Sequence, residues 1–200
     1  MADVDAAGGE ASWRRVLERL RFAKPAVPAA VQVRAKDRPS GSLEKLAREA
    51  AEILGRSFPL TLNGPAGMAR ELGFAGVHWP ESQIPHAVPP EAAQLMRSAS
   101  VHNLAALRAA ERVAHYVVFG PVFAPGSKAG LGVGVEALRE FCREARVPVL
   151  AIGGVTRDTV AVCLQAGAAG VAVVSAVLRA GDPVRALEEV GGPAPRPGML

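Results

Sequence analysis

The chain has 200 residues, of which 50% are apolar and 21% are charged, and it carries a formal net charge of +4. This balance is typical of an ordinary soluble α/β domain and excludes a disordered or fibrous chain, and no apolar run reaches the roughly 18 residues that span a bilayer. The basic residues are interspersed with acidic ones, which indicates solvated helix faces and no nucleic-acid partner. The first residues lack the character of a signal peptide, and the chain has only two cysteines. We therefore expect a cytoplasmic protein with no membrane partner.

Short apolar runs alternate with segments of helical spacing along the whole chain. An apolar stripe from Trp13 to Leu20 predicts the first helix, and Ser42 is the predicted N-cap of the second. The predicted strands cover 29–35, 58–62, 75–78, 99–101, 115–119, 148–152 and 169–174. The helices after the first are predicted over 43–54, 67–72, 90–96, 103–113, 138–145, 157–166 and 183–190. Cys142 and Cys163 lie on apolar faces of two of these helices and are expected to be reduced packing residues.

Strands that alternate with helices predict parallel βαβ units, and we expect one (β/α)8 barrel domain over 1–190. Seven strands are clear, so Ala2–Asp5 is interpreted as a short or truncated first strand. An open doubly wound sheet would need a glycine fingerprint after its first strand, and the chain has none there. The tail 191–200, rich in glycine and proline, is predicted to be disordered.

Two turns of small residues follow the last two predicted strands. The first contains Gly153 and Gly154, and the second, 22 residues later, contains Ser175 and Ala176. A strand that ends in small residues at a helix start leaves main-chain N–H groups free to hold an anion, and barrels build phosphate sites from these two loops. The alternative is that the glycines only allow tight strand-to-helix packing. The pair favours a phosphorylated ligand at the barrel mouth.

Three polar residues, Gln32, Arg34 and Lys36, alternate along one predicted strand and therefore share one face. Facing a barrel interior they would be costly unless they serve a ligand, and the alternative is an exposed strand end. The four histidines lack the spacing of metal ligands, so no metal site is predicted.

The order of these motifs resembles a known family over residues 29–190. The resemblance is to thiamine-phosphate synthases and the related TenI-type thiazole tautomerases, and it implies a (β/α)8 barrel of thiamin biosynthesis that acts on a thiazole phosphate. It is carried by the series Gln32-Val33-Arg34-Ala35-Lys36, Leu62-Asn63, Gly76-Val77-His78, Ser100-Val101-His102, Gly120-Pro121-Val122-Phe123, Ser127-Lys128, Ile152-Gly153-Gly154-Val155 and Val173-Val174-Ser175-Ala176.

The chain departs from the synthase pattern at two positions. Where the resemblance implies aspartates that bind Mg²⁺ for a departing diphosphate, this sequence has Gly64 and Gln83. Mg²⁺ is usually held by one or two protein carboxylates together with phosphate oxygens, and Glu81 or Asp37 are the candidate substitutes. We therefore expect no cofactor, with Mg²⁺ required only if the chain is a synthase.

The resemblance implies that His102 is the catalytic histidine of a thiazole tautomerase. Imidazole titrates near neutrality and can remove and return the proton that moves when the thiazole becomes aromatic. The alternative is a structural histidine, because Asn103 opens a predicted helix.

The predicted function is thus a tautomerase, with two alternatives: thiamine-phosphate synthase, and a protein that binds a thiazole or thiamin phosphate without turnover. The resemblance also implies that Arg34 and Lys36 bind a diphosphate or a carboxylate, which fits the carboxylate of a thiazole carboxylate phosphate. Lys128 lies in a glycine-rich loop that is expected to close over the phosphate, and His78 is expected to pack at the strand end or to shape the substrate site. The predicted substrate-binding set is Gln32, Arg34, Lys36, Asn63, Ser100, Ser127 and Lys128. The predicted phosphate-binding set is Gly153, Gly154, Ser175 and Ala176. Homo-oligomerisation is left open.

Overall fold

The computed structural model describes residues 1–35, 40–124 and 132–191. Within these ranges the chain forms one sheet of eight parallel strands whose spatial order is their sequence order. The strands are β1 (Ala2–Asp3), β2 (Val31–Arg34), β3 (Leu60–Asn63), β4 (Gly76–Trp79), β5 (Met96–Val101), β6 (Tyr116–Phe119), β7 (Val149–Ile152) and β8 (Gly170–Ala172). The predicted (β/α)8 barrel with a short first strand is confirmed.

Helices connect successive strands, as parallel pairing requires. They are α1 (Glu10–Leu20), α2 (Ser40–Leu54), α3 (Ala66–Glu71), α4 (Leu104–Ala110), α5 (Val135–Glu144), α6 (Arg157–Gln165), α7 (Ser175–Leu178) and α8 (Pro183–Val190). Two 3₁₀ turns, Glu81–Gln83 and Pro90–Ala92, lie between β4 and β5. Among the described residues, no helix is long and apolar enough to cross a membrane.

Two local predictions were wrong, and one short helix was not predicted. α2 begins at Ser40, so Ser42 lies inside the helix and is not its N-cap. The helix predicted over 90–96 is only the turn Pro90–Ala92, because Met96 already pairs with Gly76 and starts β5. The short helix α7 was not predicted, since its four residues are too few for a periodic pattern. The predicted tail lies outside the described residues after Gly191.

The hydrophobic core lies between the outer faces of the strands and the inner faces of the helices. Val33, Val77 and Val117 are fully buried on the outer strand faces, and the helices contribute fully buried Leu46 and Leu107. Successive residues of a strand point to opposite faces, so the residues between these positions point into the barrel.

Contacts between the N-terminus and the end of the sheet bring the first and last strands together. The terminal amine of Met1 donates to the Val173 carbonyl oxygen at 2.7 Å. The buried Trp13 indole of α1 donates to the Ala2 carbonyl at 3.3 Å, which anchors the two-residue strand β1 to its helix.

The barrel interior has a polar arc and an apolar arc. The four buried polar residues of the described chain, Asp3, Thr61, His78 and Ser98, all lie on β1 and β3–β5. Across the barrel, the inward positions of β6, β7 and β8 are mainly apolar, namely Val118, Leu150, Ile152, Gly170 and Ala172. A ligand that enters the barrel therefore meets polar groups on one side and apolar groups on the other.

Candidate active site

The carboxyl ends of β2, β3 and β5 bring four predicted substrate-binding residues, Gln32, Arg34, Asn63 and Ser100, to the inner face of the barrel, all half-buried. The other predicted binding residues, Lys36, Ser127 and Lys128, lie outside the described residues, as does Asp37.

The guanidinium of Arg34 is paired with a residue that the sequence analysis missed. Its Nη1 donates to Asp3 Oδ2 at 2.7 Å, and the Asp3 carboxylate is buried. The other carboxylate oxygen, Oδ1, accepts from the main-chain N–H groups of Asp5 and Ala6, so Asp3 also ends β1. A paired guanidinium attracts a ligand carboxylate less strongly than an unpaired one, but its remaining N–H groups can still donate.

Gln32 Oε1 is buried and has no hydrogen-bond partner within the described part of the chain. A buried polar atom without a partner costs about 1–3 kcal/mol. A ligand that donates a hydrogen bond to this oxygen would remove that cost, which agrees with the predicted binding role of Gln32.

The imidazole of His78 lies between two serines of the neighbouring strand. Its Nδ1 is 2.9 Å from Ser98 Oγ and its Nε2 is 2.8 Å from Ser100 Oγ. Burial and the positive charge of Arg34 lower the pKa of His78 to about 4, so the ring is neutral at pH 7. His78 was predicted to pack or to shape the site, and the structure shows it hydrogen-bonded to Ser100, one of the predicted substrate-binding residues.

His102, the predicted catalytic residue, forms a carboxylate–imidazole pair with Glu81 at the rim of the barrel. Glu81 Oε2 lies 2.7 Å from His102 Nδ1 and also accepts from the His102 main-chain N–H at 2.7 Å. Glu81 Oε1 accepts from Asn103 Nδ2 at 3.0 Å. Asn103 in turn caps α4, because its Oδ1 accepts from the Ala106 N–H at 2.9 Å.

This arrangement can hold and move a proton. With Nδ1–H donating to Glu81, the opposite ring atom Nε2 of His102 is the one that accepts or releases a proton, and the His102 side chain is 58% exposed. The helix that Asn103 opens is present, as the alternative of a structural histidine assumed for His102. The sequence analysis missed the pairing of Glu81 with His102, because the two residues lie on different connections.

The glycine turn after β7 has the geometry that only glycine adopts without strain. Gly153 has φ +94° and Gly154 has φ +62°. A Cβ on Gly153 would overlap Pro121, and one on Gly154 would lie 2.7 Å from Phe123 Cβ. The loop after β6 thus packs directly against this turn, so the tight packing named as the alternative role of these glycines is present here.

The second predicted phosphate-binding turn is a true helix start. α7 begins at Ser175, with two residues between it and the end of β8, and the N–H groups of Ser175 and Ala176 in its first turn have no partner within the helix. α6 begins later, at Arg157, and the N–H of Thr156 before it already donates to Thr159 Oγ1 at 2.9 Å. An anion between the two loops would therefore meet the glycine turn and the start of α7, not the start of α6.

Among the described residues, the Mg²⁺-binding carboxylates of the synthase pattern are not reproduced. Gly64 and Gln83 supply no carboxylate, and Glu81, a candidate substitute, has both oxygens bonded to His102 and Asn103. The other candidate substitute, Asp37, lies outside the described residues.

The fold and these residues define a (β/α)8-barrel protein whose mouth combines two turns of small residues with a carboxylate–imidazole pair. Comparison with known proteins agrees with the family that the sequence motifs indicate. The family model described as thiamine monophosphate synthase matches residues 7–177, and the chain belongs to this family. It is therefore an enzyme of thiamine biosynthesis by family, as the motifs predicted.

Curated relatives carry the same family name. A thiamine-phosphate synthase of Anaeromyxobacter dehalogenans is 42% identical over 164 residues, which covers 77% of this chain and 72% of the relative. A thiamine-phosphate synthase of Methanoculleus marisnigri is 39% identical over 161 residues, which covers 76% of this chain and 75% of the relative. These names correspond to the synthase alternative and not to the tautomerase that was predicted first.

Solved structures confirm the barrel. Thiamine phosphate pyrophosphorylase of Pyrococcus furiosus superposes with a TM-score of 0.69 at 26% identity and covers 94% of this chain and 86% of its own. A 3-hexulose-6-phosphate synthase superposes with a TM-score of 0.66 at 18% identity, covers 96% of this chain and 94% of its own, and shows the shared fold alone.

Proposed function

We propose that the protein is a thiazole tautomerase, an isomerase that converts the non-aromatic tautomer of a thiazole carboxylate phosphate into the aromatic thiazole. The observation that carries the proposal is the Glu81–His102 pair, whose Nδ1–O distance is 2.7 Å, at the mouth of a barrel with two anion-binding turns. The carboxylates that a Mg²⁺-bound diphosphate would need are absent from positions 64 and 83.

The reaction moves one proton. Glu81 holds His102 by Nδ1–H, and Nε2 accepts the proton from a ring carbon of the substrate. The electron pair of that C–H bond enters the ring and the exocyclic double bond moves inward, so the exocyclic carbon takes up a proton from His102. Such acid–base catalysis contributes about 10²–10⁴-fold to a rate.

The other groups bind the substrate. Main-chain N–H groups of Gly154, Ser175 and Ala176 would hold the phosphate, which suits a phosphate ester that remains attached throughout. Arg34 would donate to the substrate carboxylate through the N–H groups that Asp3 does not use.

A second candidate is favoured by the names of the relatives. Thiamine-phosphate synthase would join a hydroxymethylpyrimidine diphosphate to the thiazole phosphate, and relatives at 42% and 39% identity bear that name. It would require ligands for Mg²⁺ other than Glu81 and positions 64 and 83, since these supply no uncommitted carboxylate.

The deciding experiment measures aromatisation of the thiazole carboxylate phosphate without added metal. We expect the wild type to accelerate it, His102→Ala to reduce the rate at least about tenfold, and Glu81→Gln to reduce it as well. His86→Ala is the matched control, because His86 is exposed and lies on the same connection as Glu81 without contacting it.

Absence of acceleration by the wild type would refute the tautomerase. Condensation of the two synthase substrates, dependent on added Mg²⁺, would then establish the second candidate. Thermal stabilisation by thiazole phosphate without either reaction would establish the third possibility, binding without turnover.

A further inference from the structure

His78 is a buried titratable group that the proposed reaction does not use. It is fully buried, and both ring nitrogens face hydroxyl groups of β5. The register places His78 beside Ser98, and the two-residue period of a strand puts Ser100 on the same face. One ring therefore bridges two successive inward positions of the neighbouring strand.

Both contacts of Ser98 are hydrogen bonds in only one tautomer of His78. Ser98 Oγ lies 3.4 Å from the Val77 carbonyl oxygen, which can only accept, so this contact is satisfied when the Ser98 hydroxyl donates to it and not to His78. The oxygen of Ser98 is then left to accept a hydrogen bond from His78 Nδ1–H at 2.9 Å. In a neutral imidazole the other nitrogen, Nε2, has a lone pair and must accept, so the hydroxyl of Ser100 donates to it at 2.8 Å.

His78 is poorly suited to act as a base. Its surroundings hold the pKa at about 4, so at pH 7 the ring accepts a proton about a thousand times less readily than a group that titrates at pH 7. The role that remains is orientation of the Ser100 hydroxyl.

We propose that His78 is a positioning residue that draws the Ser100 hydrogen toward Nε2, so that Ser100 presents only oxygen lone pairs to the barrel interior. The ligand group that meets Ser100 is then one that donates a hydrogen bond, an N–H or O–H. This inference rests on the proposed function only in that the ligand lies inside the barrel. The opposite tautomer would make Ser100 offer its hydrogen to the ligand instead.

The test reads the tautomer directly in the ligand-free protein by long-range ¹H–¹⁵N NMR with ¹⁵N-labelled histidine. We expect His78, identified by its absence in His78→Gln, to show a protonated Nδ1 and an unprotonated Nε2 at pH 7. Ser98→Ala removes the acceptor of Nδ1–H, and we expect the hydrogen to move to Nε2 and donate to Ser100. Ser100→Ala is expected to change the Nε2 signal and leave Nδ1 protonated.

Ser57→Ala is the matched control, because the Ser57 hydroxyl donates to the Arg21 carbonyl at the surface and lies on another element. It should leave the His78 signals unchanged. If His78→Gln does not fold, the same resonance is identified as the one that changes in both Ser98→Ala and Ser100→Ala. A protonated Nε2 in the wild type, a charged ring at pH 7, or an unchanged tautomer in Ser98→Ala would each overturn the proposal. None of these readings depends on catalytic activity.

Discussion

Asn103 makes two hydrogen bonds with different purposes, and substitutions can separate them. Its Oδ1 caps α4 by accepting from Ala106 N–H at 2.9 Å, and its Nδ2 donates to Glu81 at 3.0 Å. Serine is an equally good N-cap but lacks the amide that reaches Glu81, whereas alanine can make neither bond. We predict that Asn103→Ala lowers the free energy of unfolding by about 1 kcal/mol and that Asn103→Ser lowers it by a few tenths at most.

The effect on catalysis should be the same for both variants. Each leaves Glu81 Oε1 without its amide donor, and for a carboxylate that is 32% exposed the lost hydrogen bond is worth about 1 kcal/mol, or about fivefold in rate. Glu81 would then hold the His102 imidazole less firmly, so the rate of aromatisation should fall by about that factor in both.

The assay pairs urea unfolding, followed by circular dichroism, with the aromatisation rate in one buffer. Asp182→Ala is the matched control: it removes the cap of α8, where the carboxylate accepts from Val184 and Arg185, and should cost similar stability without changing the rate. If Asn103→Ser were as unstable as Asn103→Ala, the capping argument would be refuted. A wild-type rate in Asn103→Ser would refute the link from Asn103 to His102.

Three further outcomes follow from the structure. Gly153→Ala should destabilise the fold by at least about 1–2 kcal/mol, because φ is +94° and the new Cβ would overlap the loop after β6. The same variant should bind inorganic phosphate more weakly. Gly181→Ala is the control, because its Cβ would meet open space, and it should change neither urea unfolding nor phosphate titration. The pKa of His78 is lowered from 6.5 to about 4, so below pH 6.5 the unfolded chain binds the extra proton first. Stability should therefore fall by about 3 kcal/mol as the pH drops from 6.5 to 4, and His78→Gln should lack this part of the slope in urea titrations at several pH values. Burial raises the pKa of the Cys142 and Cys163 thiols, so less of the reactive thiolate is present in the native protein. At pH 7, iodoacetamide should therefore label the native protein more slowly than the urea-unfolded chain. Equal labelling rates would contradict the packing role.

The elements that could be predicted from sequence are those whose own periodicity matches their burial. The stripe of α1 is confirmed by Trp13, Leu17 and Leu20, all buried, and α8 has the predicted bounds. The start of β5 could not be predicted in this way, because Met96 is exposed and Arg97 half-buried, so the segment shows no apolar alternation. It becomes a strand only because β4 provides a pairing edge.

In the candidate site, too, sequence spacing predicts features within one strand but not contacts between distant residues. Period-two spacing was sufficient to place Gln32 and Arg34 on one face of β2, and both lie half-buried on the inner side of the barrel. The pairs Asp3–Arg34 and Glu81–His102 join residues of different strands or connections, and their partners are set by barrel closure and register. No local pattern indicates such contacts. Sequence analysis therefore named Arg34 and His102 as site residues but did not predict their pairing with Asp3 and Glu81.

The described groups at the mouth offer a phosphate hydrogen bonds more than charge. The helix α7 has only four residues, so its start supplies main-chain N–H donors but little of the dipole of a longer helix. Of the nearby side chains, Arg34 is already paired with the buried carboxylate of Asp3, and His78 is neutral at pH 7. The described part of the mouth thus offers hydrogen bonds and the Glu81–His102 contact, while Lys36 and Lys128, two cations predicted to bind the substrate, lie outside the described residues. The proposed isomerisation moves a proton within a bound ligand and would need only the first two kinds of group, whereas a departing diphosphate would also need those cations or a metal ion.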